Sequence, residues 1–145
     1  MLVKIGHALI SFSLLLVLTA ASASAQDKTF SEYKGVKIGV TTDAVRLKLG
    51  APKEKSDVMD LYIFSDNESA QFYYDATKAV SAIMITYTGD LKAAPVAKDI
   101  FGVDIAPKDG TVFKMERYPK AGYWISYTRT SGSDAMVNIA MQKLQ

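Results

Sequence analysis

The chain has 145 residues, with 17 lysines and arginines against 15 aspartates and glutamates, no cysteine and one histidine, His7. Bases scattered among acids lack the clustered positive charge that neutralises phosphates, which excludes nucleic acid as the main partner. Beyond His7 there is neither His nor Cys, so the rest of the chain holds no Ser-His-Asp or Cys-His nucleophile, no typical zinc site and no imidazole acid or base.

The N-terminus carries Lys4, an apolar stretch from Ala8 to Leu18, and small residues ending Ala23-Ser24-Ala25 before the polar Gln26-Asp27-Lys28. This is the layout of a cleavable secretory signal, since the apolar run is short for a transmembrane helix and an A-x-A site follows it. Residues 1–25 are therefore expected to be removed, leaving 26–145 as one exported domain, periplasmic or secreted. No later run approaches the roughly twenty apolar residues of a membrane span. Without a cysteine there is no lipobox and no lipid anchor, and stability has to come from packing and sheet hydrogen bonds.

Along the mature chain, Thr41 and Thr42 are cap residues for a short helix with Asp43 in its first turn, ending at Gly50 with Pro52 beyond. Three strand-like runs follow, Leu61 to Phe64, Ala70 to Tyr74 and Ser81 to Thr88, divided by the polar turns Ser65–Glu68 and Asp75–Lys78. Their aromatic and β-branched content predicts an antiparallel meander. In the third run Ile83, Ile85 and Tyr87 mark the core-directed side. In the first, Leu61 and Ile63 read as the inward pair.

A second short helix begins around Pro95, sets Val96 against Ile100 and Ala97 against Phe101, and stops at Gly102. Three more strand runs complete the chain: Thr111 to Tyr118, Gly122 to Thr130 and Ala135 to Gln142. The segments Ala106–Gly110 and Ser131–Ser133 read as loops. Laying Gly50 over Gly102 brings Ile85 near Ile139, which divides the domain into half-repeats 35–90 and 91–145. Tandem duplication and two independent helix-plus-meander units both fit this pattern. The expected fold class is α+β, with two short helices packed on an antiparallel sheet of about six strands.

The stretch Ile38-Gly39-Val40-Thr41-Thr42-Asp43-Ala44-Val45, continuing to Leu49-Gly50-Ala51-Pro52, resembles the opening of small outer-membrane assembly lipoproteins of the SmpA/OmlA type. The helix-then-meander unit is similar to the duplicated unit of β-lactamase inhibitory proteins. Both resemblances imply binding to another protein through the sheet or its loops, with no catalysis. The chain lacks the acylated cysteine of the first group and the disulfides of the second, so no particular partner carries over.

The leading binding candidate is Trp124, which alternates with Ser126 and Thr128 while Tyr123, Ile125 and Tyr127 form the apolar side of that run. Tyr118 and Lys114 on the neighbouring run are candidates to share its face, and Tyr73 and Tyr62 to extend an aromatic surface from the first meander. Trp124 is ordinary core if the helices cover its face, and Tyr73 and Tyr62 are ordinary core if the register slips by one. Asp57, Asp60, Asp66 and Glu68 lack calcium-loop spacing and read as a solvated turn; no metal or cofactor is implied. Asn67-Glu68-Ser69 is a glycosylation sequon, relevant only in a eukaryotic secretory host.

The expected function is thus a non-enzymatic protein-binding module, with self-association through strand edges open. Two alternatives stand beside it. One is a small-molecule or lipid carrier with a pocket between helices and sheet, and the other a carboxylate-dependent hydrolase.

Overall fold

The computed structural model describes residues 30–145, and the predicted leader lies outside them. The elements are α1 (Thr42–Leu49), β1 (Glu54–Lys55), β2 (Met59–Ser65), β3 (Glu68–Tyr74), β4 (Val80–Thr88), a single 3-10 turn at Leu91–Ala93, α2 (Ala97–Phe101), β5 (Val112–Tyr118), β6 (Tyr123–Arg129) and β7 (Met136–Lys143). All strands join one antiparallel sheet in the order β1-β2-β3-β4-β7-β6-β5.

This corrects the expected class. The six foreseen strands are present, but Glu54–Lys55 adds a seventh at the edge, and the fold is largely β. At 8 and 5 residues, the helices are only about 12 and 7.5 Å long at 1.5 Å per residue. They cannot form a layer over a sheet roughly 30 Å wide at ~4.8 Å per strand. They act instead as two plugs on one side.

Local chemistry explains both plugs. The Thr41 hydroxyl accepts from the Ala44 amide at 3.4 Å, and Gly50 ends α1 at φ 83° while its amide returns to the Arg46 carbonyl. In α2 the Asp99 carboxylate accepts from the Val96 amide at 2.8 Å. One face of each helix is buried, Val45 on α1 and Ala97 with Ile100 on α2. A third plug comes from the N-terminal side. Tyr33 and Val36 exchange two 2.9 Å backbone hydrogen bonds across Lys34 and Gly35, both at positive φ, as a type I′ turn requires.

Under these plugs lie Phe72, Ile83, Ile85, Ile125, Tyr127, Ile139 and Met141, each at most 1% exposed. Burial of each such side chain contributes about 1.5–3 kcal/mol. On β2 the sequence reading of faces is reversed: Tyr62 and Phe64 point into this core, and Leu61 and Ile63 point away from it. Either alternation is apolar. The aromatic pair stacks at 5.9 Å, and the Tyr62 hydroxyl caps the end of α1 by donating to the Gly50 carbonyl at 3.0 Å.

Candidate functional site

Two polar clusters sit on the helix side of the sheet. Asp60 on β2 is fully buried, and Arg46 of α1 grips it bidentately, with Nε and Nη2 each 2.8 Å from a different carboxylate oxygen. The Tyr74 hydroxyl donates to the same carboxylate at 2.8 Å, and Arg46 also donates to the Ser56 carbonyl at 3.1 Å. Burial alone pushes the Asp60 carboxyl up, but the bonds from Arg46 and Tyr74 prevail and hold it below the usual carboxylate range. Asp60 therefore does not belong to the solvated turn expected from sequence.

The second cluster centres on Glu68, whose Oε1 accepts from the Tyr33 hydroxyl at 2.7 Å and the Tyr87 hydroxyl at 3.4 Å and pairs with Lys34 Nζ at 3.0 Å. Burial again opposes ionisation, and the contacts from Tyr33 and Lys34 reverse it, so Glu68 titrates below its ordinary value. The phenols respond in the other direction. Burial and the adjacent carboxylates raise Tyr33 and Tyr74, and push Tyr87 up to about 12. Both clusters tie a plug to the sheet. Each carboxylate is held by a cation and at least one hydroxyl donor, with both oxygens of Asp60 and Oε1 of Glu68 engaged.

The opposite face differs in kind. No described element lies over it, and adjacent strands align its side chains in rows. One row runs Met59, Tyr73, Ala82, Gln142, Trp124, Arg117 from β2 to β5. The next runs Leu61, Gln71, Met84, Ala140, Ser126, Met115, and a third ends in Ile63 and Phe113. Ile63, Met84, Phe113 and Met115 are between 43% and 61% exposed. Beside Trp124 is a cleft of about 360 Å³ lined by Met115, Arg117, Gln142, Lys143 and Leu144.

The predicted residues divide between the two sides. Trp124 and Tyr73 share one row of the open face. They stand three strands apart, or about 14 Å at the usual strand spacing. Tyr118 and Lys114 do not share Trp124's face: Tyr118 packs on Tyr123 at 5.7 Å, and the Lys114 ammonium lies 5.0 Å from the Phe101 ring, both on the helix side. Tyr62 is buried core. Arg117 occupies the place beside Trp124 that sequence reasoning offered to Tyr118. Strict alternation from Phe113 through Met115 to Arg117 is the signal by which the sequence could have identified it. Arg46, Asp60 and Glu68 escaped notice as a framework because their partners are distant in sequence.

No family model matches the chain, and no curated protein matches it. Among solved structures it is similar to a DUF4309 family protein (YjgB) from Bacillus subtilis, at 17% sequence identity and a TM-score of 0.48, over 78% of this chain and 86% of that one. The assignment of the open face rests on its own geometry.

Proposed function

We propose that the chain is an exported, non-enzymatic module that binds a protein through the open sheet face. The observation that carries this is that Trp124, Met115, Phe113, Met84 and Ile63 all stand on one sheet face that no described element covers. Large apolar side chains scattered singly need no explanation, whereas a shared face of aromatic and methionine residues has the composition of a docking surface. Export rests on the leader composition of residues 1–25. The non-enzymatic part rests on the absence of His and Cys after residue 25 and on the occupied state of Asp60 and Glu68. The carrier alternative draws no support from the helix side, where Val36, Val45, Phe72 and Ile100 fill the space at no more than 1% exposure each.

The test is capture from envelope and secreted extracts with wild type beside Trp124→Ala, after circular dichroism has shown both folded. A protein retained by wild type and lost by the folded variant is the expected result. Equal retention by both would move the site off this face, and no retained protein in either would remove the reading.

A further inference from the structure

The open face carries an unusual charge pattern. Among strand residues, Lys55, Asp60, Glu68, Lys114, Glu116, Arg129 and Lys143 alternate to the helix side. The open side holds two charges, Glu54 on β1 at one edge and Arg117 on β5 at the other. Neither has an ion-pair partner among the described residues. Between them, some of the polar side chains bond to one another. The Thr86 hydroxyl donates to Asn138 at 2.9 Å, the Tyr73 hydroxyl to Gln71 at 3.0 Å, and the Asn138 amide to the Met136 sulfur at 3.1 Å. Groups satisfied in this way lose little when water leaves them.

We propose that a second copy of this chain closes the face, packed sheet on sheet about a two-fold axis running along the strands. The proposal rests on the open-face reading above and names its partner. Such an axis lays the β1 edge of each copy over the β5 edge of the other, which brings Glu54 over the partner's Met115, two residues along the strand from the partner's Arg117, at both edges. It places Met84, on the central strand β4, at the middle of the contact. A charge of each sign at opposite edges is self-complementary under that operation, as an isologous contact requires. The size also suits. Strands of about seven residues at 3.3 Å per residue, spread across roughly 29 Å, present a face of ~660 Å². Two such faces bury ~1,300 Å², inside the range of stable specific interfaces.

Sedimentation velocity across a dilution series of the purified chain tests this, with circular dichroism confirming the fold of each variant. Wild type should sediment as a dimer. Met84→Lys, a change at an exposed position, should leave a folded monomer. Glu54→Arg or Arg117→Glu alone should raise the dimer dissociation constant about tenfold through loss of both edge pairs, and the double exchange should restore it. A dimer indifferent to Met84→Lys, or a double exchange no better than either single change, would overturn the proposal. A wild type monomeric throughout would overturn it as well. If that monomer still captured a protein that Trp124→Ala loses, the binding face would stand and only its occupant would be wrong; a monomer that captures nothing removes both readings.

Discussion

Ile85 stands directly opposite Ile139 in the β4–β7 ladder, and each is 1% exposed. This pair is the joint between the two halves of the domain. The first half contributes β1-β2-β3-β4 and the second β7-β6-β5, so each half runs from its own edge of the sheet to this common centre. The residues that a comparison of the two halves brings into correspondence are therefore neighbours in space. Ile85→Ala or Ile139→Ala is expected to cost about 2–5 kcal/mol in urea unfolding. Because the pair shares one packing site, the double variant should depart from the sum of the singles by ~0.5 kcal/mol or more.

The Arg46–Asp60 pair predicts an asymmetry between single and double substitutions. Arg46→Ala leaves a fully buried carboxylate without its cation, and is expected to cost about 3–5 kcal/mol. Arg46→Met combined with Asp60→Leu removes both charges and should recover much of that loss, measured by the same unfolding curves.

Asp60 also predicts the acid limb of stability. Its folded pKa lies below the unfolded value, so its contribution is fully present above an unfolded carboxyl pKa of about 4 and is lost as pH falls through the lower folded value. Glu68 adds a contribution of the same sign. Asp60→Asn should flatten the dependence of unfolding free energy on pH in that window. An unchanged slope in that variant would place the acid sensitivity elsewhere.

The alkaline limb has the opposite sign. Tyr33, Tyr74 and Tyr87 have folded pKa values raised above the ordinary phenol. Their contribution is intact below about pH 10 and declines as pH rises toward the folded values, with Tyr87 at about 12. Ultraviolet titration should show these phenols ionising above the ordinary phenol range, or together with unfolding. Tyr33→Phe should cost about 1–2 kcal/mol at neutral pH, since Glu68 then loses its 2.7 Å donor.

Trp124, the one tryptophan, reports the state of the open face. If the face is free in the monomer, the emission of the Met84→Lys variant should be readily quenched by acrylamide. Wild type at high concentration should be shielded and become quenchable on dilution. Identical quenching of the two at every concentration would count against a partner copy over Trp124.

Much of this molecule is decided within short stretches of chain. The Thr41 and Gly50 ends of α1, the Gly102 stop of α2 and six of the seven strands depend on capping, turn chemistry and alternation over a few residues. Trp124's side of β6 is equally local, because Tyr123, Ile125 and Tyr127 leave one apolar face. Tertiary structure decided the rest. Which face of β2 turns inward was open in sequence, since Leu61 with Ile63 and Tyr62 with Phe64 are both apolar and a one-residue slip exchanges them; stacking and the bond to Gly50 select the aromatic pair. The joining of the halves through β4 and β7, the two-residue β1, and the grip of Arg46 on Asp60 depend on segments far apart in sequence. Their free energy comes from packing and desolvation on contact, and local pattern carries no record of either.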